Sequence, residues 1–388
     1  MLVLNAGSSS LKFALYEVEP LEVLCRGGVE AIGAKARLRL TGPRASLLEG
    51  GVPPESGSHE SVVEWLLETL RRRADLEVVA AGHRVVHGGS KFDGPVRVDD
   101  AVLTELDGLV PLAPGHQPHN LAAIRAVAKA WPDLPQVACF DTAFHRTQPR
   151  LAQLFPIPHE LTRDGMVRYG FHGLSYEYIA GVLPEAAGAR ADGRVIVAHL
   201  GHGASLCAMR NRESVATTMG LTVLDGLMMG TRCGAIDPGL VLHLIRERNM
   251  APETVSDILN NRSGLLGVSG ISDDVRVLEA SDDPRAAEAL DLFAYRVVRE
   301  AGSLIAALGG LDVFVFTAGI GENAVQIRRK ICEGLSWAGL ILDQARNEGS
   351  ETCISGSTSA IAALVIPTNE ELPIAKACVR IACPDAGS

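Results

Sequence analysis

The chain has 388 residues, enough for two domains, and its 47% hydrophobic content supplies a sizeable core. A formal net charge of −10 argues against nucleic acid or an anionic membrane as the main partner, while a local cationic cluster could still hold a small anion. The eight cysteines form no CxxC pair and no His/Cys ligand spacing, which argues against structural zinc and for a reducing compartment.

Residues 2–12, LVLNAGSSSLK, open as an apolar strand, with no leader expected before it and a cytoplasmic location implied. A small, hydroxyl-rich turn follows, with Lys12 just beyond. Gly7 lets the backbone approach a ligand, the turn can donate to phosphate oxygens, and Lys12 adds a point charge. The same residues also read as an ordinary Gly/Ser hairpin turn. The Gly/Pro/Ser-rich stretch 50–58 reads as a surface loop. Residues 61–73 place Val62, Val63, Leu66, Leu67 and Leu70 at helical spacing and close on Arg71, Arg72 and Arg73, where cations suit the helix dipole. A strand is expected over 78–86, then a helix over 120–130, then a short buried strand over 137–140 ending at Asp141.

Residues 195–200, VIVAHL, form another apolar strand running into Gly201-His202-Gly203-Ala204-Ser205. This is an altered echo of the opening motif, about half a chain away. It fits a duplicated domain, or a coincidence of two β-turns. A long helix is expected over 285–308, with Leu290, Phe293, Val297, Leu304 and Ile305 at three- and four-residue steps. The apolar run 301–320 is interrupted at Gly309-Gly310-Leu311-Asp312, so it is no membrane span; a buried strand over 313–317 follows. The glycine-rich turn 318–323 leaves a GxGxxG pattern incomplete, which argues against a dinucleotide fingerprint. Strands alternating with amphipathic helices define an α/β chain.

Four clusters can carry chemistry: GHRVVHGG at 82–89, FDTAFH at 140–145, YGFHG at 169–173 and MGTRCG at 229–234. Each alone is compatible with a surface charge or a capped turn. Together they offer two arginines and a histidine in small-residue loops, strand-end carboxylates and phosphate-type hairpins. Phosphoryl transfer needs this combination, because its oxygens must be neutralised with little covalent chemistry from the protein.

With these clusters, the opening LNAGSSSLK, the segment GLLGVSGISDDVR, FTAGIGEN and PTNEE stand in one order over nearly the whole chain. In this order they resemble the acetate kinase family. The resemblance implies two duplicated actin-like, ribonuclease H-like domains, each a mixed β-sheet flanked by helices, hinged around a nucleotide cleft. Domain I would span 1–143 plus 372–388, and domain II, for nucleotide binding and dimerisation, 144–371. The implied reaction is reversible, Mg²⁺-dependent transfer of the ATP γ-phosphate to acetate, with Mn²⁺ as an alternative metal, ADP as product and a homodimer as the assembly. By the same resemblance Asn5 and Glu370 hold the metal. Ser8, Ser10 and Lys12 sit near the nucleotide phosphates. Arg84, Val86, His116 and Phe171 face the carboxylate substrate. Asp141, His172 and Arg232 are catalytic. The ATP site takes His199, Leu200, Gly201, His202 and Gly203, then Asp274, Val275 and Arg276, then Gly319, Ile320, Gly321, Glu322 and Asn323. Acetate is already ionised, so Asp141 has no substrate proton to remove; orienting a metal-bound water or an arginine suits it better. Arg84 is expected to pair with the substrate bidentately. A covalent route through a carboxylate stays open beside direct in-line transfer.

Several positions depart from the family pattern. His202 replaces an asparagine in the second hairpin. Gly115 stands where a leucine is usual and Val223 where a proline is frequent, so a propionate kinase or a broader short-chain carboxylate kinase is the alternative. Val275 replaces a common aromatic, which bears on nucleotide choice.

Overall fold

A computed structural model describes residues 1–7, 10–30, 32, 37–48, 59–73 and 76–383. They fall into two units, Met1–Phe144 with Asn369–Ser388, and His145–Thr368. The stretch 50–58 lies outside the described residues, as does Ser8.

The first unit is built on a seven-stranded mixed sheet. Its strands are β1 (Leu2–Ala6), β2 (Ser10–Tyr16), β3 (Val23–Glu30), β4 (Arg37–Thr41), β5 (Ala81–Val85), β6 (Val96–Arg97) and β7 (Gln136–Phe140), in the order β4-β3-β2-β1-β5-β7-β6. The first four form an antiparallel meander, while β5 and β7 run parallel to β1. The helix His59–Arg71 buries Val62, Val63, Leu66, Leu67 and Leu70 against one face. The other face carries the helix Glu371–Ala382. It approaches β5 so closely that a Cβ at Gly82 would lie 2.5 Å from both Cys378 Sγ and Ile374 Cγ2. A larger residue at Gly82 would push that helix off the sheet.

The second unit carries β8 (Val195–Leu200), β9 (Ala204–Arg210), β10 (Glu213–Thr217), β11 (Val313–Thr317) and β12 (Ala362–Val365), in the order β10-β9-β8-β11-β12. Three strands form an antiparallel meander and β11 and β12 run parallel to β8. That pattern repeats β3-β2-β1-β5-β7 in order and sense, so the echo between the two glycine turns belongs to a duplicated sheet. The long helix Pro284–Leu308 starts on Asp283, whose carboxylate accepts from the Arg285 N–H, and stops at Gly309, whose φ of 72° is left-handed. Its apolar face, including Phe293, Val297 and Ala301, is buried within this unit.

Three expectations shift. The strand expected over 78–86 forms only at Ala81–Val85, because its neighbours offer partners only from there: Leu2 and Gln136 both sit opposite Ala81. The helix expected at 120 begins at Gln117, since Pro118 is well placed in a first turn. The glycine turn after β11 is the short helix Ala318–Asn323, entered through Ala318 at φ 64°. No helix among the described residues is long and apolar enough to cross a membrane.

Candidate active site

Parallel strands gather their carboxyl ends, where ligands of α/β sheets collect. In the first unit this brings Asn5 on β1, Arg84 on β5 and Asp141 after β7 together. The Asp141 carboxylate accepts from Arg84 Nε at 3.0 and 3.1 Å and from Nη2 at 2.6 Å. Arg84 Nη1 donates to Asn5 Oδ1 at 3.3 Å and lies 3.4 Å from Glu370 Oε2. Glu370, placed by the resemblance in the second domain, thus sits with the first unit. Burial opposes the Arg84 charge, but Asp141 and then Glu370 outweigh it and hold the guanidinium above its ordinary range. Asp141 therefore orients an arginine. The expected bidentate pairing of Arg84 with substrate meets an obstacle, since only one Nη2 hydrogen is left unengaged.

Val86 and His116 belong to the same unit. The buried Val86 donates its N–H to Asn120 Oδ1, and His116 stands at the start of the helix Gln117–Ala130. Gly115 is exposed, and a Cβ there would meet nothing within 4 Å. Ser10 opens β2, with its carbonyl accepting from Gly7 N–H, and Lys12 pairs in register with Asn5 while its side chain is exposed.

The second unit holds His172, Arg232 and the turn between β8 and β9. His172 caps the helix Gly173–Ala187 at φ 61°, a left-handed backbone that costs a non-glycine residue about 1 kcal/mol. Its ring stacks on His199 with centroids 4.2 Å apart, and its Nδ1 lies 2.8 Å from Ser205 Oγ. A Cβ at Gly203 would lie 3.3 Å from His172 Nε2 and 3.4 Å from Arg232 Nη2. Both nitrogens thus face the space above a glycine. Arg232 donates from Nη1 to the Val223 carbonyl at 2.8 Å, and no carboxylate pairs with it among the described residues. Burial alone pushes its guanidinium below the ordinary range. A partly desolvated cation without a counter-ion favours an incoming anion. Gly203→Ala should lower kcat by about 10- to 100-fold, because misplacing reacting groups by a fraction of an ångström is costly. Steady-state kinetics with an unchanged melting temperature would show it; an unchanged kcat would mean that this space is not used.

Beside this cluster lies a pocket of about 610 Å³. Of the expected nucleotide residues, Gly201, His202, Asp274, Val275, Arg276, Gly319, Ile320 and Asn323 line it, with Asp273, Glu279 and Ala324. Leu200 and Gly321 are buried away from it. Glu322 turns its carboxylate to the Thr368 N–H, and His199 joins His172. Phe171 is buried, and its carbonyl is 2.9 Å from His145 Nε2. At the pocket rim His202 Nε2 is 3.0 Å from Asp273 Oδ2. Its ring covers Gly230, where a Cβ would come within 2.8 Å of it.

Three supporting residues escaped the sequence. Ser205 sits fully buried in a strand that is otherwise apolar up to its exposed last residue, Arg210, and that isolation was its signal. Tyr176 reaches Ser205 from the helix after His172. Arg328, also fully buried, donates to the carbonyls of Gly321 and Glu322 and to Asn347, anchoring the helix that lines the pocket. Nothing in the run IRRK separates it from Arg329 and Lys330.

Two duplicated mixed sheets, a half-buried arginine with no carboxylate partner among the described residues beside a histidine, and a pocket lined by glycines define a phosphotransferase of the α/β class. The chain belongs to the acetokinase family, whose model matches residues 1–376. It is 53% identical to an acetate kinase of Rhodopseudomonas palustris, with 98% of each chain covered. It is 51% identical to one of Nitrobacter hamburgensis, over 97% of this chain and 94% of that one. Among solved structures, a propionate kinase of Francisella tularensis superposes with a TM-score of 0.90 at 39% identity, covering 97% of this chain and 98% of that one. The acetate kinase of Porphyromonas gingivalis gives a TM-score of 0.86 at 37% identity, covering 98% of each chain.

Proposed function

We propose that this protein transfers the γ-phosphoryl group of ATP to acetate, reversibly and in line, giving acetyl phosphate and ADP. The observation that carries the proposal is Arg232, half-buried, pairing with no carboxylate among the described residues and sharing the space above Gly203 with His172 Nε2. An acetate oxygen attacks phosphorus as the bond to the β-phosphate oxygen breaks. The substrate brings its own negative charge, so the obstacle is repulsion between anions and not deprotonation. Arg232 and His172 offset that charge on the migrating group. Nucleotide binding falls to the second unit, with the pocket of Val275, Ile320 and Asn323 for the base and ribose and the turn Gly201–Gly203 for phosphates.

Asn5, Asp141 and Glu370 present hard oxygen donors around one guanidinium, a set suited to Mg²⁺. Asn5 and Glu370 would hold the ion, with Mn²⁺ as a substitute, and bound there it supplies charge neutralisation for the phosphates. If Asn5 and Glu370 turn to the metal, Arg84 Nη1 is released and the guanidinium regains enough hydrogens to hold a carboxylate, while Asp141 keeps it oriented. Ser8, Ser10 and Lys12 would add donors from the first hairpin.

A homodimer fits the helix Pro238–Arg246, which buries none of its residues and leaves Leu240 and Leu242 about half exposed. The long helix Pro284–Leu308 is a weaker candidate, since its apolar face is already covered. A cytoplasmic enzyme is the matching expectation. Acetate and propionate are the candidate acceptors, and one methylene discriminates by only about 1–3 kcal/mol. Coupled ADP assays with acetate, propionate and butyrate side by side test the function. Turnover with acetate, and propionate within a hundredfold of it in kcat/KM, is expected. No ADP formed with any short carboxylate would overturn the proposal.

A further inference from the structure

The second unit contains a buried hydroxyl chain that ends on His172. Tyr176 and His172 are linked through the Ser205 hydroxyl. The Tyr176 hydroxyl is 2.5 Å from Ser205 Oγ, and Ser205 Oγ is 2.8 Å from His172 Nδ1. Tyr176 and Ser205 are both fully buried. The opposite edge of the imidazole, Nε2, faces the space above Gly203 with Arg232 Nη2. We propose that Tyr176 and Ser205 are positioning residues that keep His172 in the tautomer with its proton on Nε2, aimed at the migrating phosphoryl group. The proposal rests on the carboxylate-kinase function argued above.

The reasoning is proton bookkeeping along the chain. A hydroxyl has one hydrogen. Burial pushes the Tyr176 phenol well above its ordinary range, so it keeps its proton and can donate. When Tyr176 donates to Ser205, the Ser205 hydrogen is directed to His172 Nδ1. An Nδ1 that accepts leaves the proton of a neutral imidazole on Nε2. The reverse sense would place the Nε2 lone pair against anionic phosphoryl oxygens, where it repels. The forward sense places an N–H there, 3.3 Å from the Cβ position of Gly203 and therefore next to Arg232. Orientation is fixed separately. The stack on His199 sets the ring plane, and His199 is in turn held by Ser175 Oγ at 2.8 Å, itself 2.8 Å from Thr368 Oγ1.

Tyr176→Phe removes the hydroxyl and keeps the ring, including its edge contacts with His145 and His199. We expect kcat to fall about tenfold with KM for ATP and acetate within twofold, the signature of an interaction made chiefly in the transition state. Ser205→Ala should fall further, and Ser205→Thr, which restores a hydroxyl, should recover part of the loss. The direct readout is ¹⁵N NMR of histidine-labelled protein, with the His172 signals identified by their loss in His172→Gln. Wild type is expected to show the Nε2–H pattern, and Tyr176→Phe a mixture of tautomers. A wild-type His172 protonated on Nδ1 would overturn the proposal. So would a Tyr176→Phe protein with the wild-type tautomer and wild-type kcat. An inactive wild type would defeat the functional proposal instead, and the NMR pattern would still decide the tautomer.

Discussion

Replacing Arg232 by alanine should lower kcat by about 10²- to 10³-fold, the usual loss when one preorganised donor to a developing anion is removed. The protein should stay folded. Arg232 makes one hydrogen bond, to the Val223 carbonyl, and pairs with no carboxylate among the described residues, so its removal strands no buried charge. Burial already disfavours its cation, and alanine relieves that penalty. The melting temperature should therefore hold or rise while activity collapses, an opposition that a merely structural arginine would not produce. Arg232→Lys should recover little, because an ammonium is a point charge and cannot hold both the Val223 carbonyl and a phosphoryl oxygen in one plane. Arg84 provides the contrast. It is tied to Asp141, Asn5 and Glu370, so its loss leaves two carboxylates and an amide without their shared partner. Steady-state kinetics and thermal melts of Arg232→Ala decide the matter: kcat within tenfold of wild type, or a fall in stability of several kcal/mol, would remove Arg232 from the chemistry.

Much of the scaffold was legible because strand cores in a mixed sheet are continuous apolar runs. VIVAHL and VFVFT are buried along their whole length and could be little else. The duplication was legible too, as two glycine turns after two such runs. Where a strand stops was not, since Val78 and Val79 are as strand-prone as their successors and lack only a partner. The same division holds for the site. Arg84, Asp141 and His172 stood out beside glycines and strand ends. That Asp141 clasps Arg84 was not visible across 57 residues, because the parallel pairing of β5 with β7 brings them together. Ser205, Tyr176 and Arg328 were hidden for a different reason. Their tasks depend on burial and on hydrogen bonds to residues distant in sequence or on the backbone, and residue type reports neither.

Acid should unfold this protein steeply, and the first unit before the second. Burial lowers the imidazoles of His83, His87 and His145 from 6.5 to about 4 each. Above pH 6.5 folded and unfolded chains are both neutral at these sites, and stability is complete. Below it the unfolded chain binds protons that the folded chain refuses, so each histidine removes about 1.4 kcal/mol per pH unit until the pH passes the folded value near 4. His83 and His87 lie in the first unit and His145 in the second. The first unit should lose roughly 3 kcal/mol per pH unit and the second about half of that. Between pH 6.5 and 5 the first unit would lose about 4 kcal/mol, a large part of a domain's usual 5–15 kcal/mol. Trp65 and Trp131 lie in the first unit and Trp337, largely exposed, in the second, so tryptophan emission reports chiefly on the first. Urea titrations followed by emission at pH 7, 6 and 5 should show midpoints falling with this slope. His83 lies 2.7 Å from the Gln136 side chain, and His83→Gln keeps a polar partner there without a titrating ring. It should flatten the slope by about 1.4 kcal/mol per pH unit. Midpoints that stay level from pH 7 to 5 would mean that these imidazoles charge freely in the folded chain, against the burial that sets their pKa values.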